Sequence, residues 1–187
     1  MTLLRQLVLG RRGVLEWTEV VEPRLSSGLD AIVRPIAVAR CDADAGFIES
    51  DSSRKLSIGC ALHLVDSEVP RLLGPSPFRR PYALGHEFVA EVMEVGEGVR
   101  SFVVGQKVVV PFQISCGACA SCQRGETSTC ESVPPWSMYG FGDACGRWGS
   151  ALSDLVRVPY ADGMLVRLPV GISPEQIASA DNLSDAW

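Results

Sequence analysis

Apolar residues occur along this chain mostly in short runs with turn residues between them. Leu3 to Leu9 and Val14 to Val21 are separated by Gly10-Arg11-Arg12-Gly13, and Leu15 and Trp17 alternate with polar neighbours, which predicts a two-stranded hairpin. The β-branched run from Asp30 to Ala39 predicts a long strand, bent or at an edge near Pro35, which has no N–H to give a ladder. It ends at Arg40-Cys41-Asp42, so Cys41 is expected in a loop with two acids, placed to project into a site. Phe88 to Val95, Lys107 to Val110, Ala151 to Val158 and Leu165 to Leu168 predict further strands.

Residues 47 to 81 break this pattern. Ile58, Ala61, Leu62, Val65, Val69 and Leu72 fall at helical spacing, interrupted by Gly59 and Pro70, which predicts one or two short helices. Near the end, Ser173-Pro174-Glu175-Gln176 has the form of a helix start, with Ser173 as N-cap, Pro174 in the first turn and Gln176 able to close a capping box. Many short strands, Gly/Pro turns and few helices make the fold mainly β with a few short helices, a partly open β-barrel.

Candidate chemistry is densest between Cys116 and Cys130. Cys116, Cys119, Cys122 and Cys130 are spaced C-x₂-C-x₂-C-x₇-C, with Gly117 and Gly125 available for turns. Two-residue gaps let the chain curl until sulfurs converge, which suits one tetrahedral Zn²⁺. A disulfide knot or four separate buried thiols are the bland alternatives, and nothing in the sequence indicates an oxidising compartment. Cys41 and His86 form a second candidate set: each closes a strand-like segment, and Glu87 follows His86. A catalytic zinc takes three protein ligands from separated loops and keeps one position open. On spacing alone, a lone histidine between Gly85 and Glu87 is more often a hydrogen-bonded structural residue.

Composition narrows the function classes. A 47% hydrophobic and 21% charged chain of 187 residues describes an ordinary globular protein. A net charge of −5 without Lys/Arg clusters excludes a nucleic-acid surface. No apolar run approaches a membrane span, and the opening residues are too short and interrupted for a signal peptide, so no membrane partner and a cytoplasmic location are expected. Gly96-x-Gly98 and Gly140-Phe141-Gly142 fail as nucleotide fingerprints, because a third glycine and a following helix are missing.

Cys41-x-x-Asp44, Gly85-His86-Glu87, Gly96-x-Gly98-Val99, the four-cysteine lobe and the Pro-then-helix ending together resemble the catalytic, GroES-like domain of the zinc-dependent medium-chain alcohol dehydrogenases. The resemblance covers most of the chain outside residues 47 to 81. It implies a GroES-like catalytic domain over 1–172, with a structural zinc lobe at 116–130 and an extended segment at 47–81, and over 173–187 the start of the helix leading toward a Rossmann domain. By resemblance, Cys41 and His86 are catalytic-zinc ligands, Glu87 is a close outer partner or alternate ligand, and Asp44 is an acid that orients His86. Cys116, Cys119, Cys122 and Cys130 hold the structural zinc. Asp181 stands in the region of the third catalytic ligand, as in the branch resembling glutathione-independent formaldehyde dehydrogenases; a solvated acid near a helix end is its bland reading.

Two departures qualify the likeness. Ala43 replaces the hydroxyl residue through which many relatives pass the alcohol proton, and the Cys41–His86 connection is longer than usual. That extra segment contains Cys60 and His63, expected as packing residues. The function implied is alcohol/aldehyde interconversion with NAD(P) in the full enzyme, the zinc acting as a Lewis acid, with a small-molecule alcohol or aldehyde as substrate and a homo-oligomer as assembly. Two zinc sites are expected, the catalytic one partly occupied. These 187 residues contain no strand–glycine loop–helix unit for a dinucleotide, so no cofactor-binding residue is assigned and the chain alone is expected to be inactive. Apolar surface is expected near Trp187 and the 56–73 segment. The alternatives are a non-catalytic zinc-binding interaction module and a co-chaperonin-like oligomer.

Overall fold

The computed structural model describes residues 3–11, 13–49, 52–74 and 78–179. Strands β1 (Leu3–Leu9) and β2 (Leu15–Val21) form the expected hairpin, with Leu3 opposite Val21 and Leu9 opposite Leu15. Strand β3 (Ala31–Ala39) leads into α1 (Asp42–Glu49), followed by α2 (Ser52–Ala61) and α3 (Glu68–Leu73). Then come β4 (Tyr82–Ala83), β5 (Glu87–Val95), β6 (Lys107–Val110), α4 (Ala120–Gln123), β7 (Val156–Val158), α5 (Ala161–Met164), β8 (Val166–Arg167) and α6 (Pro174–Ile177). Two sheets result, in the orders β2-β1-β4 and β7-β3-β5-β6-β8, with every pairing antiparallel. Backbone bonds from Leu7 N–H to the Leu152 carbonyl and from Leu84 N–H to the Leu7 carbonyl tie β1 to the second sheet's connections, giving the partly open barrel.

The main core lies on the five-stranded sheet, where Val33, Phe88, Ala90, Val92, Val108, Val110 and Val158 are almost wholly buried. Tyr139 meets Phe88 edge-on at 5.8 Å and donates its hydroxyl to the Arg157 carbonyl at 3.1 Å. Arg157 in turn pairs with buried Asp30 at 3.0 Å. A smaller cluster, Leu9, Tyr82 and Leu84, packs with Ile48, Phe78 and Leu152 between the sheets.

Pro35 lies beyond the three β3 residues that pair with β7, and a register shift falls between Pro35 and Ala37, so the missing donor sits at a bulge on a locally open edge. Four expectations change. Asp42 and Asp44 occupy the first turn of α1 rather than a loop, where acids complement the helix dipole. The 47–81 region carries the two short helices expected there plus the end of α1, but Gly59 and Pro70 do not interrupt them: Gly59 lies inside α2 and Pro70 in the first turn of α3, where a missing N–H costs no helical bond. The strand expected over 151–158 is regular only at 156–158, because 151–153 pair irregularly with Gly85, Gln6 and Leu7. The packing role expected for Cys60 and His63 does not hold for His63, which is exposed at φ 55°; Cys60 is half-buried. At α6, the Ser173 N–H donates to Gln176 Oε1 at 2.9 Å and the capping box is complete. Asp181 and Trp187 lie outside the described residues. Within the 56–73 segment, Ile58, Leu62, Leu64 and Leu72 are exposed. No helix among the described residues is long and apolar enough to cross a membrane.

Candidate metal centres

The register of β3 on β5 decides where the second ligand set falls. Ala39 pairs with Glu87, so the chain just past β3 runs beside the chain just before β5. Cys41 and His86 meet there, with Cys41 Sγ 3.3 Å from His86 Nε2. Glu87 Oε1 lies 3.7 Å from the same ring nitrogen, and Asp44 Oδ1 lies 3.5 Å from the opposite one, Nδ1. Asp44, His86 and Glu87 are each at most 5% exposed, while Cys41 is half-buried. A single ion uses only one imidazole nitrogen. The ring therefore sorts its neighbours: Cys41 and Glu87 share the Nε2 side, and Asp44 stands behind Nδ1, the side from which a carboxylate would orient a ligating histidine. Asp44 Oδ2 also accepts the Cys41 N–H at 3.3 Å, locking the two ends of this turn together.

The donors fit a zinc ion. Tetrahedral Zn–S and Zn–N bonds put sulfur and nitrogen about 3.5 Å apart, close to the observed 3.3 Å. Buried Asp44 Oδ1 and His86 Nδ1 have no well-formed hydrogen bond and face each other. Burial raises the Cys41 thiol pKa, and the negative charges of Asp44 and Glu87 add to that; a cation at the centre would reverse both effects.

The four-cysteine lobe is built differently. Cys119 is the N-cap of α4, which carries Cys122, and a 3₁₀ turn at Thr127–Thr129 delivers Cys130. Cys116 and Cys122 sulfurs are 3.9 Å apart, and those of Cys119 and Cys130 are 4.0 Å apart. Four thiolates around zinc stand about 3.8 Å apart, whereas a disulfide would require about 2.05 Å. Backbone N–H groups of Ala118 and Cys119 point at Cys116 Sγ, that of Cys116 at Cys130 Sγ, and that of Glu131 at Cys119 Sγ. Burial pushes Cys116 upward, but hydrogen bonds from Ser132 and those N–H groups prevail and leave it at about 6. Burial and the neighbouring Cys119 push Cys122 up to about 12. Backbone N–H groups lower Cys119 as well, so the lobe favours thiolate at two of its positions, and such negative charge suits a cation.

Two aromatic residues beside His86 were not singled out from sequence. Phe141 lies over the ring at 4.6 Å and 33°, and Phe112 meets it edge-on at 6.0 Å. The signal was Gly140-Phe141-Gly142. Both glycines adopt φ +75°, and a Cβ on Gly140 would sit 2.5 Å from the Gly85 carbonyl oxygen, so only glycine brings this loop against the backbone preceding His86.

A GroES-like half-barrel bearing a compact four-thiol lobe and a Cys/His pair at the start of a core strand defines the class. The family model "Alcohol dehydrogenase GroES-like domain" matches residues 28–170, and the chain belongs to that family. Among curated relatives, a probable zinc-binding alcohol dehydrogenase of Mycobacterium tuberculosis is 38% identical over 115 residues, covering 61% of this chain and 28% of that protein. A glutathione-independent formaldehyde dehydrogenase of Pseudomonas aeruginosa is 32% identical over 130 residues, covering 65% of this chain and 32% of that protein. Of solved structures, the alcohol dehydrogenase TADH from Thermus sp. ATN1 superposes with a TM-score of 0.68 at 30% identity, over 91% of this chain and 41% of that one. The chain thus spans about a third or less of the length of these curated relatives.

Proposed function

We propose that this chain is the zinc-bearing catalytic domain of an alcohol dehydrogenase-like oxidoreductase that interconverts alcohols and aldehydes with NAD(P) in the full enzyme. The observation that carries this is the convergence of Cys41 Sγ and His86 Nε2 at 3.3 Å, with buried Asp44 behind Nδ1. Cys41, His86 and Asp181 hold the catalytic zinc, and Cys116, Cys119, Cys122 and Cys130 hold the structural one. The catalytic ion supplies Lewis acidity to a substrate oxygen. Asp44 keeps the His86 proton on Nδ1 and so leaves Nε2 free to ligate. Glu87 places a carboxylate on the Nε2 side, able to ligate when another donor withdraws. Ala43 has no hydroxyl, so the alcohol proton leaves through water or another group. A cytoplasmic location fits the absence of a membrane-length helix among the described residues, and exposed Ile58, Leu62 and Leu64 support a homo-oligomer.

The test is metal content. Elemental analysis is expected to give up to two zinc ions per chain, and Cys41→Ser to remove one while the four-thiolate ion remains. Asp44→Asn is expected to weaken the same site by roughly 10- to 100-fold, the usual cost of losing an outer partner of a ligating histidine. Unchanged zinc stoichiometry and affinity in both variants would refute the catalytic assignment.

A further inference from the structure

We propose that the segment between Cys41 and His86 serves to hold Phe141 against the His86 ring, making Phe141 a positioning residue for the metal ligand. Three observations converge on this. First, Phe141 lies tilted over His86 at 4.6 Å, while Asp44 takes Nδ1 and Phe112 approaches another edge. The ring thus has a buried carboxylate oxygen facing Nδ1 at 3.5 Å and an aromatic ring over its face. Second, Phe141 is backed by rings from both ends of the long connection. Phe47, in the last turn of α1, meets it at 5.6 Å and 68°, and Phe78, on the return from α3, meets it at 6.5 Å and 69°. Phe47 and Phe78 are themselves 4.8 Å apart. Third, the rings are fastened to the fold: the Arg80 guanidinium donates to the Phe47 carbonyl at 2.6 Å, and Phe78 packs on the Leu9, Tyr82 and Leu84 cluster.

The edge-to-face contacts of Phe141 with Phe47 and Phe78 have preferred geometries, so these three rings act as a unit rather than as interchangeable apolar filler. A ligand ring that is already oriented loses less freedom when it binds an ion, and that difference appears as affinity. The connection supplies two of these rings, one from each of its ends, and they meet each other behind Phe141. The two surrounding glycines serve the same end, since Gly140 packs on Gly85 and Gly142 on the Tyr82 side chain.

This rests on His86 being a metal ligand, and the experiment separates the two claims. Cobalt(II) is titrated into the metal-free full chain, and absorption bands of the four-thiolate site and of the Cys41/His86 site are assigned with Cys41→Ser. Phe141→Leu keeps apolar volume but loses the planar face. It is expected to weaken cobalt at the Cys41/His86 site by about tenfold or more with the four-thiolate bands unchanged. Phe141→Tyr, which keeps the face, is expected to stay within about threefold of wild type, and Phe78→Leu to shift affinity in the same direction as Phe141→Leu but less. Affinity in Phe141→Leu within twofold of wild type would overturn the proposal. A wild-type chain with cobalt only at the four thiolates would sink the catalytic assignment instead. The ring clamp is then decided by NMR of metal-free protein: a ring-current-shifted His86 signal in one tautomer, lost in Phe141→Leu, upholds it, and an unshifted signal or one unaffected by the substitution overturns it.

Discussion

The two candidate metal centres share cysteine sulfur as a donor and are built in opposite ways. The four-cysteine lobe takes all its sulfurs from fifteen consecutive residues, 116–130, and orients them with its own backbone N–H groups. The Cys41/His86 site takes donors 45 residues apart and brings them together only because β3 and β5 pair with Ala39 opposite Glu87. A local site is a property of a short sequence, whereas a distributed site is a property of a strand register. Breaking the first should release an ion and a lobe; loosening the second should change affinity while leaving the barrel standing.

The largest effect is expected from Cys119→Ser. Binding free energy at a closed structural zinc site is folding free energy, on the order of 10 kcal/mol in small zinc peptides. The variant should lose one zinc by elemental analysis and melt many degrees lower, with the loss concentrated in exchange protection of residues 116–130. An equally stable, metal-free wild-type protein with four titratable thiols would contradict this.

Legibility from sequence follows the same local-versus-distributed division. The hairpin strands, the ends of β6, the capping box and the C-x₂-C-x₂-C-x₇-C spacing are local patterns, and each was readable from neighbours in sequence. Cys41 was found because it ends a strand, yet the helical first turn that carries Asp44 to His86 was hidden: Asp42-Ala43-Asp44-Ala45-Gly46 has little apolar periodicity to announce a helix. Helix α5 was hidden for a similar reason, since four residues show no period, and its Asp162 acts through the backbone by accepting the Arg100 and Ser101 N–H groups. Phe141 was passed over because Gly140-Phe141-Gly142 was weighed only as a nucleotide loop, and its meaning depends on what Gly85 does 55 residues earlier.

The seam between the lobe and the barrel is next in size. Gly117 and Gly163 meet back to back: a Cβ on Gly163 would lie 2.6 Å from the Cys116 carbonyl oxygen, and one on Gly117 would lie 2.5 Å from Gly163 Cα. These are backbone atoms that cannot rotate away. Gly163→Ala is expected to cost about 1–3 kcal/mol by overpacking, and Gly117→Ala more, since φ +70° adds strain. Denaturant melts of the zinc-loaded chain check this, and an unchanged midpoint for Gly163→Ala would show that the lobe does not seat as described.

Asp30 provides a barrel-side measure that involves no metal. Burial alone would raise its pKa, but Ser26 N–H and Oγ and the Arg157 guanidinium hold it below the ordinary 3.8. A depressed native pKa contributes stability that is complete above the unfolded value and is lost as pH falls through the lower native one. Asp30→Asn should therefore destabilise by about 2 kcal/mol near pH 7. The difference from wild type should shrink below about pH 4. A gap independent of pH would mean that the carboxylate charge is not what joins the Ser26 turn to Arg157.

The smallest expected effect concerns the third ligand of the distributed site. Asp181 lies outside the described residues, so its role rests on the family resemblance and on the chemistry of a carboxylate as a zinc donor. Asp181→Ala should weaken metal at the Cys41/His86 site by roughly tenfold while the four-thiolate site stays filled. The loss should be partial, because Glu87 Oε1 already stands 3.7 Å from His86 Nε2 and can take the open position. The double variant Asp181→Ala/Glu87→Gln is then expected to lose considerably more affinity than the two single losses combined. Asp185→Ala is the control: it removes an acid four residues further along the sequence and should leave affinity unchanged. Cobalt titration of all four variants separates the cases. If Asp185→Ala weakens the site and Asp181→Ala does not, the ligand is assigned to Asp185; if neither does, the site is completed by Glu87 and Asp181 is a solvated acid.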